Sequence, residues 1–193
     1  FIVNHGIPKE IIKRAHSNLV RFFALSDDLK RGMPNYVPPK STIYVSSPVN
    51  QNTKPDLNEM LRIVRERPAD HPAILAGLKT HGPNHWPDEN LLPGWKDEML
   101  EYYSAMELLG QSLLPVYARA LGMPAEYFDN LFEDPVWTTR NQHYPPMEAE
   151  ENQFGIAPHQ DHGFLTLLPV VDVPGLQIRT TDGEWIAVEY TED

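Results

Sequence analysis

GIAPHQDHGFLTLLPVVDVPGLQIRTTDGEWIAV, residues 155–188, is the stretch on which the reading of this chain turns. It holds the one His-x-Asp/Glu triplet of the sequence, His159-Gln160-Asp161, at the entrance to a segment rich in Leu and Val. The segment predicts a strand. Side chains repeat there with period 2, so His159 and Asp161 share a side, about 7 Å apart along the backbone, and His162 points to the other. One imidazole and one carboxylate on a common face are two of the three side chains of a 2-His-1-carboxylate site for non-heme iron. A polar pair at a strand entrance is also ordinary solvated sequence, so the triplet needs its context.

Downstream, Leu165 to Val171 is almost wholly apolar, as expected of a strand buried on both faces. Asp172 to Gly175 turns the chain, Leu176 and Ile178 alternate with Gln177 and Arg179, Asp182-Gly183 is a hairpin signal, and Trp185 to Val188 returns. Short strands joined by such turns predict a jelly roll with a cavity between its sheets. Upstream, Val136 to Tyr144 has period 2 and is closed by Pro145-Pro146. Arg140, Gln142 and Tyr144 take one face, facing solvent or a wet cavity; Asn141 and His143 take the other, with His143 read as packing or surface. Phe164 reads as a core aromatic or as the wall of a pocket.

Further towards the amino end the pattern is helical. Trp95, Met99, Tyr102, Tyr103, Met106, Leu109, Leu113, Leu114, Tyr117 and Leu121 recur at steps of three and four. Pro115 predicts a kink near Gln111 or a boundary between two helices, Gly122 ends the run, and Pro124 opens another helix reaching Phe132. Asp56 to Arg65 mixes helical and strand spacing and fits either. Residues 35–55 are loop by composition, with a strand-like island at Ile43-Tyr44-Val45. Ser26 caps a short helix that Gly32 stops. Pro8 opens an amphipathic helix with Ile11, Ile12, Ala15, Leu19, Phe22 and Phe23 on one side and Lys9, Lys13, Arg14 and Asn18 on the other. Phe1 to Val3 is a short strand signal. His5, His16, His71, His81 and His85 are turn or surface residues, since nothing positions them as ligands.

With 193 residues and 41% hydrophobic content the chain is long enough for one domain with a real core. A formal charge of −11, spread along the chain, disfavours nucleic acid as a partner. No apolar run approaches the roughly 20 residues that cross a bilayer, and no charged-then-apolar signal segment opens the sequence. With no cysteine, disulfides and thiolate metal sites are excluded, and a cytoplasmic location is the expectation. The sequence starts inside one strand signal and stops just after another, so it reads as a piece of a longer protein.

FIVNHGIP at 1–8, NHWP at 84–87, RNQHYPP at 140–146, PHQDHGFLTLL at 158–168, VPGLQIR at 173–179 and DGEWIAV at 182–188 come in one order and spacing. In that set the chain resembles, over nearly all its length, the Fe(II)/2-oxoglutarate-dependent dioxygenases of the isopenicillin N synthase-like group. The resemblance implies an α+β fold: an incomplete double-stranded β-helix, or jelly roll, with supporting N-terminal helices. Residues 1–90 would be the N-terminal region, 91–133 the supporting helices and 134–193 the first part of the jelly-roll domain. NHGIP and NHWP would be architectural turns, and Tyr44, in a loop that would approach the mouth of the active site, would be a substrate contact or an anchor of that loop on the surface.

The same resemblance implies that His159 and Asp161 bind Fe(II), with the family's third ligand, a histidine, beyond Asp193. It implies that Tyr144 hydrogen-bonds 2-oxoglutarate and that Gln142 lines the same pocket, although the family usually carries Asn at that position. The family's Arg-x-Ser, which holds the far carboxylate of 2-oxoglutarate, is absent from this stretch. The reaction implied is oxidation of a small organic substrate by O₂, giving succinate and CO₂, with neither nucleic acid nor membrane as partner. Two alternatives stand beside it: an Fe(II) oxidase of the same fold that does not use 2-oxoglutarate, and a non-catalytic remnant. The 193-residue piece alone is expected to be inactive.

Overall fold

Within Asp56 to Arg65, the segment whose spacing fits helix or strand, Glu59–Val64 is the central strand of the larger sheet. The structure, a computed structural model, describes residues 1–40, 54–78 and 80–191. Tyr44 and its strand-like island lie outside the described residues. The chain divides into two compact units, Ile7–Asp161 and Phe1–Gly6 with His162–Asp193.

In the larger unit, β1 (Tyr36–Val37), β2 (Glu59–Val64) and β3 (Thr138–His143) form an antiparallel sheet in that order. Met60 lies opposite Gln142 and Leu61 opposite Asn141. Directly opposed residues share a face, so Glu59, Leu61, Ile63, Thr139, Asn141 and His143 line one side and Met60, Arg62, Arg140 and Gln142 the other. The first side carries the main core, where Leu61 and Ile63 meet α1 (Lys9–Phe23) and α4 (Trp95–Ala120) through Phe22, Trp95, Met99 and Tyr103. Burying side chains of this size stabilises by about 1.5–3 kcal/mol each, which explains why a helix and a strand far apart in sequence end in one cluster.

The long helix is continuous through Pro115, with no boundary between two helices there. It ends as its glycine predicts: Gly122 takes φ +73°, Met123 N–H donates to Ala118 C=O at 2.8 Å and Gly122 N–H to Arg119 C=O at 3.0 Å. The helix expected from Pro124 to Phe132 shrinks to turns and a 3₁₀ segment at Asp129–Leu131. Asn18, expected on the solvent side of α1, is buried. Its amide donates to Glu98 at 2.7 Å, its Oδ1 accepts from Arg21 at 2.8 Å and its backbone C=O accepts from the Trp95 indole at 2.8 Å. A polar side chain can sit at a helix–helix contact when every polar atom there has a partner. The short helix α2 (Asp27–Arg31) follows Ser26 and ends at Gly32, as expected, but the Ser26 side chain makes no capping hydrogen bond.

His71 Nδ1 accepts from Ala73 N–H at the start of α3 (Pro72–Leu75). In the NHWP turn, Asn84 pairs with both backbone groups of Val64 at 2.9 Å and donates to Glu66 at 2.7 Å, an architectural role.

The smaller unit contains the expected hairpin, β4 (Gln177–Arg179) paired with β5 (Trp185–Ala187). Gly183, at φ +96°, closes its turn, with Thr180 N–H donating to Glu184 C=O at 2.8 Å. Two expected strands are not formed. Phe1–Val3 and Leu165–Val171 carry no ladder, and Leu168 and Val171 are exposed. A strand exists only where a neighbour takes its N–H and C=O groups, and among the described residues of this unit β4 and β5 pair only with each other. Phe164, expected in the core, is 42% exposed.

Candidate metal centre

His159 and Asp161 lie side by side, but the strand from which their shared face was expected is not formed. His159 Nε2 stands 3.3 Å from Asp161 Oδ1, and both side chains reach solvent. The other ring nitrogen, Nδ1, is 2.9 Å from the backbone C=O of Ala157. A carbonyl only accepts, so at this contact Nδ1 is the donor, which leaves Nε2 as the nitrogen that could give its lone pair to a metal in place of a proton. Metal-bound histidines are held in the same way, with the second nitrogen donating to a carbonyl or carboxylate. Two donors side by side on a metal at about 2.1 Å are separated by about 3 Å. The pair therefore fits a metal as two neighbouring ligands. Among the described residues no group of three or more His, Cys, Asp or Glu gathers around a common point, so the fit is for two positions.

Tyr144 and Gln142 lie on the sheet face turned away from the main core. Tyr144 is half exposed; partial burial pushes its phenol up, the charge of Arg140 pulls it down and that of Asp56 adds to the rise. Its ring lies so near Gly155 that a Cβ there would come within 2.9 Å of Cδ1, which explains glycine at that position. Gln142 Nε2 donates to Asn58 Oδ1 at 3.3 Å, and Asn58 Nδ2 donates to Gly155 C=O at 2.7 Å. Arg140 Nε reaches Met60 Sδ at 3.4 Å.

Asp56 and Asn58 join this region without having been singled out in the sequence. Asp56 Oδ1 accepts from Ala157 N–H at 2.9 Å; burial raises its carboxyl, against that hydrogen bond and the charges of Arg140 and His159, which lower it. The only signal was indirect, in that both lie at the start of a segment whose spacing fitted two secondary structures.

The opposite face of β3 is also polar. Glu59 accepts from Lys30 at 2.8 Å, from the Tyr36 hydroxyl and, at 2.7 Å, pairs with His143 Nδ1. Burial opposes ionisation of Glu59, but these three hydrogen bonds and the charge of Lys30 outweigh it and hold the carboxyl below its ordinary value. Burial and the adjoining Glu59 push the Tyr36 phenol up. His143 packs its ring on Phe23 at 5.3 Å, so it belongs to the packing.

Residues 1–89 match the model of the N-terminal part of non-haem dioxygenases in morphine synthesis, and residues 137–193 match that of the 2OG-Fe(II) oxygenase superfamily. The chain belongs to the 2OG-Fe(II) oxygenases. A 2-oxoglutarate-Fe(II) type oxidoreductase of Emericella nidulans, hxnY, is 34% identical over 97% of this oxygenase chain and 56% of its own length. The 2-oxoglutarate-dependent dioxygenase citB of Monascus ruber is 32% identical over the whole of this chain and 61% of its own. The crystal structure of a full-length Neurospora crassa protein in complex with alpha-KG superposes with a TM-score of 0.75 and 26% identity, covering 96% of this chain and 58% of that one. The likeness carries the jelly-roll fold class, of which the described sheets are an unclosed part. This oxygenase chain spans between half and two thirds of the length of these relatives. No helix among its described residues is long and apolar enough to cross a membrane.

Proposed function

We propose that the chain is the part of an Fe(II)- and 2-oxoglutarate-dependent oxidoreductase that supplies two iron ligands, His159 and Asp161, and two co-substrate contacts, Tyr144 and Gln142. Residues 134–193 would open its jelly-roll domain, with 91–133 as supporting helices and 1–90 as the N-terminal region. The observation that carries the reading is the convergence of His159 Nε2 on Asp161 Oδ1 at 3.3 Å, with Nδ1 tied to a carbonyl. Relatives named as 2-oxoglutarate-dependent enzymes support the choice of co-substrate.

In this reading Fe(II) with 2-oxoglutarate supplies the activation of O₂ and the oxidation of a small organic substrate, the oxo-acid leaving as succinate and CO₂. His159 keeps its proton on Nδ1 and presents Nε2. Asp161 contributes a carboxylate beside it, offsetting part of the metal's charge. Tyr144 donates its hydroxyl to a co-substrate carboxylate, and Gln142 offers an amide from the same sheet face. These residues bind and orient; none needs to move a proton on the substrate.

The test is anaerobic Fe(II) titration of the full-length protein, followed by succinate release with O₂ and 2-oxoglutarate. Tight binding that His159→Ala or Asp161→Ala removes, with succinate formed only when iron is present, is the expected result. Full metal affinity in both variants would overturn the ligand assignment.

A further inference from the structure

Residues 54–58 run beside residues 152–157, the segment that leads into His159. Lys54 N–H donates to Asn152 C=O at 3.3 Å, Leu57 N–H to Phe154 C=O at 2.9 Å, and the Gln153 side chain to Pro55 C=O at 3.0 Å. Side chains close the strap at both ends: Lys54 reaches Glu150 at 2.6 Å and Asn58 holds Gly155 C=O at 2.7 Å. Asp56 sits between them and holds Ala157 N–H at 2.9 Å. Ala157 is the residue whose carbonyl lies 2.9 Å from His159 Nδ1.

Each bond has a plain structural reading, as loop anchoring. Taken together they form a chain with one end at the candidate ligand. Asp56 fixes Ala157 by its N–H, and Ala157 fixes the imidazole by its C=O. Residues 155–161 belong to neither helix nor strand, so no ladder of their own sets where His159 points. We infer that Asp56 is a positioning residue, acting through Ala157 to hold the His159 ring so that Nε2 faces Asp161. The inference rests on the proposal that His159 binds the metal. It adds that the N-terminal part of the chain takes part in building the iron site, through a carboxylate that does not touch the metal.

Outer-shell partners of metal-bound histidines typically change metal affinity by 10- to 100-fold when removed. The experiment is Co(II) titration of the full-length protein, followed by its visible absorption, with far-UV circular dichroism and Tm as controls for folding. Asp56→Ala is expected to weaken Co(II) binding by about 10- to 100-fold with the fold intact. Asp56→Asn, which keeps an acceptor at Oδ1, is expected to bind at close to parental affinity. A purely structural role would move Tm and leave affinity alone.

Parental affinity in Asp56→Ala, while His159→Ala loses the metal, overturns the inference and leaves the ligand assignment standing. Parental affinity in His159→Ala removes both together. An Asp56→Asn as weak as Asp56→Ala also overturns it, because then charge and not the hydrogen bond matters. Should Asp56→Ala fail to fold, Asn58→Ala loosens the same segment at Gly155. Reduced affinity in the folded Asn58→Ala protein supports the inference and unchanged affinity overturns it.

Discussion

The two faces of β3 carry similar side chains in different circumstances. On the inner face, Asn141 donates to Leu61 C=O at 3.1 Å and to the Tyr103 hydroxyl at 2.9 Å, while His143 joins the buried Glu59–Lys30–Tyr36 group. On the outer face, Gln142 makes one 3.3 Å contact to Asn58, and Tyr144 stays half exposed. Buried polar groups with a full set of partners specify packing and are costly to break. Polar groups with capacity to spare at an open surface can serve a ligand. Alternation along 138–144 cannot tell these apart; partners do.

That contrast can be broken most directly at the candidate ligands. Asp161→Ala in the full-length protein is expected to abolish iron-dependent turnover, read as succinate release, with little change in Tm. Normal turnover would remove the outer region from function.

Next in size is the inner cluster. Glu59→Ala leaves Lys30 buried without its main partner, and losing one member of a buried ion pair costs about 3–5 kcal/mol, read by urea unfolding. Asp27, 3.3 Å from Lys30 and mostly exposed, places the effect towards the low end. The pH dependence has a definite sign. The Glu59 carboxyl titrates lower folded than unfolded, so its stabilisation is complete above the unfolded value of about 4.3 and is lost as pH falls towards the folded value. Glu59→Gln should therefore flatten the fall in stability below about pH 4.3.

A smaller effect is expected at the boundary between the faces and the loop. Gly155→Ala brings a Cβ within 2.9 Å of the Tyr144 ring, which must shift. Overpacking of this kind costs about 1–3 kcal/mol, and the moved phenol should also raise the KM for 2-oxoglutarate. The mildest change is Tyr144→Phe. It is expected to alter stability by under about 0.5 kcal/mol and to raise the KM for 2-oxoglutarate by about two- to tenfold, the worth of one hydrogen bond. A stability loss as large as that of Glu59→Ala would show that the outer face is structural too.

Much of this was legible in the order of residues, where local chemistry decides. Gly122 ends the long helix because a left-handed residue is needed there, and Asp182-Gly183 makes its hairpin for the same reason. The apolar stripe of α1 and α4, the β3 alternation and the nearness of His159 to Asp161 follow from periods of 3.6 and 2 and from a separation of two residues. Where partners distant in sequence decide, the sequence fell short. Glu59–Val64 is a strand because Tyr36–Val37 and Thr138–His143 flank it. Asn18 is buried because Glu98 and Trp95 meet it. Leu165–Val171, apolar enough to be a strand, is none because no described strand pairs with it. His159 and Asp161 are kept near one another by their separation of two residues. What holds the imidazole in line, Asp56 through Ala157, arises from a contact across 101 positions, and only folding brings such groups within hydrogen-bonding distance.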